Sequence, residues 1–322
     1  MMKVLVVTNM YPDASRPYNG IFVAEQLAAI RSFHPDVCFD ICYIDGGKGK
    51  AEYLKSVIYV NRRIRYGSYD LVHIHFGLSG IYLLSPFRKA VPTIVTFHGS
   101  DIQPAGGNGC ITVGISRHTA RTADMCITLN ACMDALARQC NGNTLIVPCA
   151  VDTGVFKPVA CKGKSERDRK LVVFPCSRDM AVKDYPLFDR VLGVLRREYG
   201  IDCEEKVLSG LSRRQVAELL NVADILLLTS KSEGSPQAVK EALACNLPVV
   251  STPVGDVAEL LEGVRDCYVS HTRQAGELAA LAAKALLHNG SGMAGRERIM
   301  QLHLDEKSIA DRIYDIYEQS IH

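Results

Sequence analysis

The sequence has almost no excess of charge and contains no long apolar run. Its 37 Lys and Arg residues stand against 35 Asp and Glu residues, which leaves a formal net charge of +2. Such a balance provides no basic surface for nucleic acid, so a nucleic-acid-binding protein is excluded. No segment reaches the roughly 20 consecutive apolar residues that cross a bilayer, and the apolar run at residues 4–7 is too short for a signal peptide. We therefore expect a cytoplasmic protein.

Cysteine spacings typical of metal or redox sites are also missing. The twelve cysteines are scattered, and no two of them form a C-x-x-C pair. Several stand inside apolar runs, as Cys149 does within residues 147–151, where cysteine behaves as a small hydrophobic residue. We expect free, buried thiols in a reducing compartment.

What the 322 residues do contain is an alternation of short apolar runs with longer amphipathic stretches. This pattern is typical of parallel strands joined by helices, and the length suggests two domains. A polar stretch at residues 157–170 separates two such series. We predict an α/β fold of two Rossmann-like, doubly wound domains facing a central cleft. The predicted parts are residues 1–157, residues 158–305, and a C-terminal helix within 306–322 that packs back toward the N-terminal domain.

The strongest functional pattern follows a fully apolar predicted strand and contains two glutamates, Glu233 and Glu241. Ser235 is a favourable helix N-cap and Pro236 a favourable first helical residue, so a helix is predicted to begin just after Gly234. A helix N-terminus at the carboxyl end of a parallel strand attracts an anion, typically a phosphate, and the carboxylates suit sugar or ribose hydroxyls. The alternative is an acidic first turn that stabilises the helix dipole, with Glu241 on a solvated face.

Two cations follow the apolar strand that opens the second half of the chain. Arg178 comes directly after this strand, and Lys183 stands five residues later. Near a helix N-terminus, an arginine fork and a lysine point charge would complete a clamp for a diphosphate. The alternative is that both are ordinary cations of a surface loop.

In the first half, His98 follows another predicted strand and precedes a glycine, with Asp101 three residues later. The glycine lets the backbone approach a ligand while the imidazole faces the cleft. Gly20, in the long loop after the first strand, either forms a simple turn or admits a phosphate. His73 and His75 alternate along a strand and point to one side of the sheet, and for them we favour a structural or cleft-wall role.

Together these segments resemble the family 4 glycosyltransferases of the GT-B fold, and the likeness runs over nearly the whole chain. The most specific match is the E-x7-E pattern from Glu233 to Glu241, with its EGSP core and the following KEALACNLPVVSTPVGDVAEL. Supporting matches are YNGIFVAEQLAAI, DLVHIHF, TFHGSD, VPCAVDTGVF and Arg178 with Lys183. The opening MYPDASRPYNGIF is similar to enzymes that build bacterial cell-surface polysaccharides.

The resemblance implies a retaining transfer of a sugar from a nucleotide-diphosphate donor, with a UDP-sugar expected, to a glycan or lipid-linked saccharide. By motif, Arg178 and Lys183 neutralise the diphosphate, and the backbone at Gly234, Ser235 and Pro236 holds the sugar or its phosphate. No D-x-D pair occurs in the chain. We therefore expect no metal and no other cofactor, with cations in place of the metal.

The resemblance also assigns roles around the sugar. Glu233 contacts hydroxyls of the donor sugar, and Glu241 binds the ribose. His98 lies near the anomeric centre and orients the sugar, with Asp101 beside it. Gly20 lets the loop of the first domain close over the phosphates.

Two departures from the family pattern stand out. Cys149 and Ala150 occupy the place where members often have Asn-Gly before Val-Asp. After Gly200 the chain passes within a few residues to the next predicted strand, so one strand–helix unit is expected to be missing or reduced. The nucleobase pocket expected near residues 210–213 lies next to this shortened part.

Two other functions remain open at this stage, namely a non-catalytic GT-B scaffold that supports a partner transferase and a GT-B-like sugar-nucleotide epimerase. A peripheral membrane contact is a further possibility. The basic residues Arg62, Arg63 and Arg65, with Arg88 and Lys89, could touch anionic lipid, although solvated helix ends are the favoured explanation.

Overall fold

The computed structural model describes residues 1–16, 18–87, 89–103, 110–159, 168–287 and 290–321. The chain divides into two compact units. The first unit consists of Met1–Ala150 together with Glu306–His322, and the second of Val151–Asp305. The first unit is therefore built from two separate stretches of sequence.

Each unit contains one parallel sheet. The first sheet has six strands, β1 (Met2–Thr8), β2 (Val37–Tyr43), β3 (Leu71–His75), β4 (Thr93–Thr96), β5 (Met125–Thr128) and β6 (Thr144–Ile146), in the order β2-β1-β3-β4-β5-β6. The second has five strands, β7 (Lys170–Phe174), β8 (Cys203–Val207), β9 (Ile225–Leu228), β10 (Val249–Ser251) and β11 (Tyr268–Val269), in the order β11-β10-β9-β7-β8.

Helices connect the strands and cover the sheets. In the first unit they are α1 (Ile21–Phe33), α2 (Ala51–Gly67), α3 (Cys110–Thr122) and α4 (Ala131–Arg138). The second unit contains α5 (Tyr185–Tyr199), α6 (Arg213–Val222), α7 (Gln237–Ala244), α8 (Val257–Leu261), α9 (Ala275–Leu286) and α10 (Gly295–Gln301). Helix α11 (Glu306–Ile321) returns to the first unit.

The apolar runs of the sequence form the strands because helices lie on the sheets and bury them. Val4, Leu5, Val6 and Val7 of β1 are all fully buried, as are the four residues of β9. Continuous apolar runs of this kind are typical of parallel strands. The predicted pair of doubly wound α/β units is thus confirmed, and the second sheet is one strand smaller than the first.

Each sheet has one topological switch point, where the strand order reverses direction. In the first unit the chain passes from β1 to β2 on one side and then to β3 on the other side of β1, so the switch point lies between β1 and β3. In the second unit it lies in the same way between β7 and β9. In open α/β sheets, ligands bind outside the carboxyl ends of the strands at this point. The loops after these four strands are therefore where site residues are expected.

The chain passes into the second unit after Ala150, earlier than the domain boundary expected at residue 157. The Val151 N–H donates to the Leu304 carbonyl at 2.9 Å. The Arg296 guanidinium donates to the carbonyls of Phe156 at 2.8 Å and Thr153 at 2.9 Å. These bonds fix residues 151–156 to the second unit. The expected boundary was later because it was placed at the start of the polar stretch, which begins only at residue 157. Most of the predicted linker, residues 160–167, lies outside the described residues.

Helix α11 packs on the first unit through one apolar face and a polar contact to α1. Its buried residues are Ile309, Ala310, Ile313, Ile316 and Tyr317. The His34 ring at the end of α1 stacks on Tyr314 with ring centroids 4.0 Å apart, and His34 Nε2 lies 2.9 Å from Asp311 Oδ1. The second stretch of the first unit is therefore anchored by both packing and hydrogen bonds.

Candidate active site

Lys183 and Glu233 meet at the switch point of the second sheet. Lys183 follows β7 and Glu233 follows β9, and because these strands are neighbours their carboxyl ends lie side by side. Lys183 Nζ donates to Glu233 Oε1 at 2.6 Å, and both side chains are less than one-fifth exposed. Ser230 Oγ donates to the same carboxylate oxygen at 2.5 Å. The structure thus brings together two of the predicted donor-site residues.

The two strand-end segments are also joined through their backbones. The Lys231 N–H donates to the Val182 carbonyl at 2.8 Å, and Thr229 Oγ1 donates to the Lys183 carbonyl at 3.0 Å. Arg273, which the sequence analysis did not single out, adds a third link. Its guanidinium donates to the Ser230 carbonyl and, at 2.5 Å, to Asp184 Oδ2. The position of Lys183 against Glu233 is therefore held from both sides.

Helix α7 begins one residue later than predicted, and its cap differs. Pro236 occupies the N-cap position in an extended conformation and Gln237 is the first helical residue. The expectation that Ser235 caps the helix is wrong, since no side chain caps it. The Ser235 hydroxyl lies instead beside the buried Asp256 carboxyl, where it opposes the rise in the pKa of Asp256 that burial causes. The N-terminal turn of α7 therefore keeps its dipole without a side-chain acceptor.

A glycine allows a second loop to lie directly on the residues before α7. Gly255 has φ +57°, and a Cβ atom at this position would lie 2.4 Å from the Gly234 carbonyl oxygen. Any larger residue would push that carbonyl away. The backbone at Gly234 is thus placed by contact with Gly255 as well as by its own sequence.

Glu241 lies inside the unit, paired with a cation. Only 4% of the residue is exposed, and its Oε1 accepts a hydrogen bond from Arg213 Nη1 at 2.7 Å. The Arg213 guanidinium stacks on the Phe156 ring, 4.6 Å from its centroid. The alternative that placed Glu241 on a solvated face is therefore wrong. The partner Arg213 had been noted only as part of an expected nucleobase pocket, because a contact between α6 and α7 leaves no local signal in the sequence.

Arg178 is paired with a residue of the edge strand rather than with Lys183 or Glu233. Its guanidinium forms an ion pair with Glu205 on β8 and lies over the Tyr185 ring, 4.9 Å from the centroid. The Tyr185 hydroxyl donates to the same carboxylate at 2.8 Å. Because its side chain is 54% exposed, Arg178 is free to change partners.

In the first unit, Gly20 places the start of α1 against the end of β1. Gly20 has φ +62°, and a Cβ atom there would lie 2.4 Å from the backbone of Met10. Helix α1 begins at the next residue, and the Phe22 ring lies 4.9 Å from the His98 ring. The glycine loop and His98 are thus neighbours at this end of the sheet.

The Asp101 carboxylate binds backbone N–H groups of two loops and does not face outward. Its carboxylate is fully buried and accepts N–H groups of Gly77 at 2.8 Å, His98 at 3.0 Å and Gly99 at 3.0 Å. Burial raises the pKa of Asp101 to about 6 even though these three donors favour the charged form. Asp101 therefore joins the loop after β3 to the loop after β4, which carries His98.

His98 is uncharged and contacts a second histidine. Burial lowers the pKa of His98 to about 3. His98 Nε2 lies 3.1 Å from Nδ1 of His75, and the two rings are stacked with centroids 5.4 Å apart. A neutral imidazole here can donate or accept a hydrogen bond without adding charge.

This fold has a counterpart among solved structures. The structure of Anabaena Alr3699/HepE in complex with UDP-glucose matches with a TM-score of 0.71 at 16% sequence identity, covering 99% of this chain and 100% of that chain. The likeness concerns the fold, and the chemistry rests on the cations and carboxylates at the carboxyl ends of the strands. Fold and site define the class: the protein has the GT-B fold, with charged side chains at the carboxyl ends of its strands.

Two family models match the sequence directly. Glycosyltransferase Family 4 matches residues 3–155, and Glycosyl transferases group 1 matches residues 194–289. The first covers nearly the whole first stretch of the first unit, and the second covers most of the second unit from α5 onward. The chain belongs to the family 4, group 1, glycosyltransferases, as the motif from Glu233 to Glu241 indicates.

Two relatives have sequences more similar to this chain than the sequence of that solved structure is. The N-acetyl-alpha-D-glucosaminyl L-malate synthase of Bacillus anthracis is 28% identical over 281 residues, covering 75% of this chain and 72% of the relative. TuaC of Bacillus subtilis strain 168, a glycosyltransferase assigned to teichuronic acid biosynthesis, is 23% identical over 335 residues, covering 80% and 83%.

Proposed function

We propose that this enzyme is a retaining, metal-independent glycosyltransferase that moves a sugar from a nucleotide-diphosphate sugar to a glycan or lipid-linked saccharide in bacterial envelope polysaccharide synthesis. The observation that carries the proposal is the Lys183–Glu233 pair at the switch point of the second sheet, 2.6 Å apart and beside the N-terminus of α7. A UDP-sugar is the expected donor, and the UDP-glucose bound by the HepE structure supports that expectation.

The donor diphosphate would bind between a cation and a helix. Lys183 supplies a point charge, and the uncapped first turn of α7 supplies N–H groups and the positive end of a dipole. Arg178 would leave Glu205 and add a bidentate contact to the phosphates. Among the described residues, no group of three or more His, Cys, Asp or Glu side chains could hold a metal ion. The transfer would rely on the cations to stabilise the departing diphosphate.

The carboxylates would hold hydroxyl groups. Glu233 lies beside the phosphate position and would accept hydrogen bonds from the sugar, while Glu241 would accept them from the ribose. Because Glu233 and Glu241 are paired with Lys183 and Arg213, neither is placed as a free nucleophile. This favours a reaction in which the bond from the anomeric carbon to the phosphate oxygen breaks, the acceptor oxygen forms the new bond on the same face, and its proton passes to the departing phosphate.

The alternative of a non-catalytic scaffold has less support. A scaffold has no use for charged side chains at the switch point, yet Lys183 and Glu233 are held in a defined contact there, and Glu241 is held by Arg213 within the same unit. A sugar-nucleotide epimerase would bind the same donor, so only product analysis separates it from a transferase. The acceptor could also be small, since one relative is named for a product with L-malate.

Donor binding and transfer are tested with a panel of UDP-, GDP- and ADP-sugars. A bound donor raises the melting temperature by mass action, and mass spectrometry of the products distinguishes transfer from epimerisation. Lys183→Ala and Glu241→Ala should each lower kcat/KM by about 100- to 1,000-fold. Lys206→Ala is the matched control, because Lys206 also pairs with a glutamate of this unit, Glu204 at 2.9 Å, but on the outer edge strand. A folded enzyme that binds none of these sugars, or whose Lys206 variant loses as much activity, would refute the proposal.

A peripheral membrane contact through α2 is part of this proposal. Within the described ranges, no helix is both long and apolar enough to span a membrane. Leu54, Ile58, Arg62 and Tyr66 follow one another at four-residue spacing and share an exposed face, with Leu54 67% and Ile58 74% exposed. Exposed apolar, aromatic and cationic side chains together are typical of a helix that lies on an anionic lipid surface.

Vesicle co-sedimentation tests the contact. Binding to vesicles with anionic lipid should fall at least threefold when Leu54 and Ile58 are replaced by Ser or when Arg62 and Arg65 are replaced by Gln. Arg63→Gln is the control, because Arg63 is already occupied by the Ile41 carbonyl at 2.8 Å and Asp40 at 3.1 Å. Wild-type enzyme that fails to sediment with anionic vesicles would remove this part of the proposal. Arg88 lies outside the described residues, and Lys89 follows it on the exposed surface.

A further inference from the structure

Three histidine rings lie in series behind the site of the first unit. The His73 and His75 centroids are 4.2 Å apart, and those of His75 and His98 are 5.4 Å apart. His73 and His75 are fully buried, whereas His98 at the end of the series is partly exposed. The inner end is fixed by Tyr317 of α11, whose hydroxyl lies 2.7 Å from His73 Nδ1, and by Thr96, whose Oγ1 lies 2.7 Å from His73 Nε2.

All three rings are neutral. Burial lowers the pKa of His73 to about 3 and holds the pKa of His75 well below its ordinary value, as it does for His98. Each ring therefore carries a single N–H and a single bare nitrogen. The contact between His75 Nδ1 and His98 Nε2, at 3.1 Å, then requires one of these two nitrogens to donate and the other to accept.

The other nitrogen of His75 decides which of them donates. His75 Nε2 is buried and has no hydrogen-bond partner among the described residues. An unpartnered buried N–H group is rare and costly, while a bare acceptor is tolerated more often. The His75 proton is therefore on Nδ1 and is donated to His98 Nε2. His98 must then carry its own proton on Nδ1.

We propose that His75 is a positioning residue that fixes His98 as the Nδ1–H tautomer, so that a neutral hydrogen-bond donor is presented to the substrate. His98 Nδ1 has no partner within the part of the chain that the structure describes, which leaves this N–H available to a bound oxygen atom. A neutral donor can hold a hydroxyl or phosphate oxygen without adding charge at that position. The role at the substrate rests on the proposed glycosyltransfer, whereas the tautomer does not depend on it.

The tautomer is read by nitrogen NMR of the intact enzyme with 15N-labelled histidine, assigned with single variants. The expected result for the wild type is a protonated Nδ1 and a bare Nε2 on His98 at pH 7.5, without any donor sugar. A proton on Nε2 of His98 would overturn the proposal. This measurement needs neither activity nor a successful substitution at His75, so it stands even if the proposed reaction is wrong.

Three substitutions at His75 test the consequence for turnover. His75→Asn can place its amide N–H where Nδ1 stands, while His75→Leu has no donor and His75→Gln places its amide near the Nε2 position. We expect His75→Leu and His75→Gln to lower kcat by about 100-fold with little change in KM, and His75→Asn to recover most of that loss. The His98 signal should become a mixture of tautomers in the Leu and Gln variants but not in the Asn variant. Equal kcat in the Leu and Asn variants, with both folded, would show that His75 has only a structural role.

Discussion

The carboxyl ends of the two sheets differ in how they carry polar side chains. In the first unit, burial has removed the charge of the histidines, since the pKa values of His73 and His98 are lowered to about 3. Asp101, whose pKa is raised to about 6, is charged at neutral pH but binds backbone N–H groups rather than a cation. In the second unit the charges remain and are paired, Lys183 with Glu233 and Arg213 with Glu241. The strand order around the two switch points is nevertheless the same.

The difference indicates a division of work. Arg178, whose side chain is 54% exposed, can exchange one partner for another because an exposed ion pair contributes little net free energy. In the proposed reaction, an incoming diphosphate would take Arg178 from Glu205 and would give the more buried Lys183 a second anionic partner. Neutral buried histidines cannot respond in this way, but they give fixed hydrogen-bond directions that do not change with the charge of the substrate. The second unit is suited to exchange charged partners, and the first to hold fixed hydrogen-bond directions.

Reversing the charges at the switch point gives the largest expected effect. In a Lys183→Glu, Glu233→Lys double variant the pair can re-form, so the free energy of unfolding should change by much less than the roughly 3–5 kcal/mol that removing one partner of a buried pair costs. The kcat/KM value should fall by about 1,000-fold, because a carboxylate would then stand where the phosphate is proposed to bind. The matched control reverses Glu204 and Lys206 on β8 and should leave both quantities unchanged. Activity retained in the first double variant would mean that the charges of the second unit serve only its stability.

Lowering the pH should destabilise the first unit more than the second. An unfolded histidine takes up a proton below pH 6.5, whereas folded His73 stays neutral to about pH 3, so stability present above pH 6.5 is lost as the pH falls through this range. At pH 5 the loss is about 2 kcal/mol for each fully buried histidine. Asp101 has the opposite effect on stability. Because its pKa is about 6 in the folded state and 3.8 in the unfolded state, the folded state gains stability as the pH falls through this range. The gain from this one carboxyl is smaller than the summed loss from the three histidines.

Hydrogen exchange, corrected for the intrinsic effect of pH, measures this difference. Between pH 7.5 and pH 5, amides of β3 and β4 should lose protection by at least about 30-fold, while those of β7 and β9 should change much less. A His73→Gln variant should show a smaller pH effect in the first unit. The same loss of protection in both sheets would contradict the contrast between a neutral and an ion-paired site.

Glu205→Gln is expected to have the smallest effect, an increase in affinity for the donor. Removing the carboxylate that holds Arg178 raises the fraction of enzyme with a free guanidinium, so the Kd for the donor should fall about three- to tenfold. Isothermal titration calorimetry measures it. Combining Glu205→Gln with Arg178→Ala should abolish the gain. A donor affinity that is unchanged or weaker in the Glu205 variant would show that Arg178 does not reach the phosphates.

The meeting of Lys183 with Glu233 could be predicted because it follows from topology. Apolar runs marked the strands, and parallel neighbouring strands end at the same edge, so residues just after them had to be close. The contacts of Arg178 with Glu205 and of Arg213 with Glu241 could not, because they depend on which way long side chains turn between elements far apart in sequence. The capping prediction at Ser235 failed for a similar reason: a hydroxyl that suits a cap in isolation lies beside Asp256, which arrives from another loop.

The histidines of the first unit also show what the sequence could predict and what it could not. Alternation along β3 correctly indicated that His73 and His75 face one side of the sheet. It carried no information on Tyr317, which is 244 residues from His73. Only the folded chain shows that this buried pair leads to His98, and thus that residues favoured as structural contact a predicted site residue.

The return of α11 to the first unit has a consequence for how the chain is made. Residue 150 leaves the ribosome long before residue 317, and at about 5–20 residues per second the interval lasts roughly 8–30 s. Throughout that time β3 holds His73 without its tyrosine, and the apolar face of α1 is uncovered. The nascent first unit therefore lacks its last helix, α11, while the second unit is synthesised. Vectorial translation thus makes the histidine series one of the last features of the enzyme to be completed.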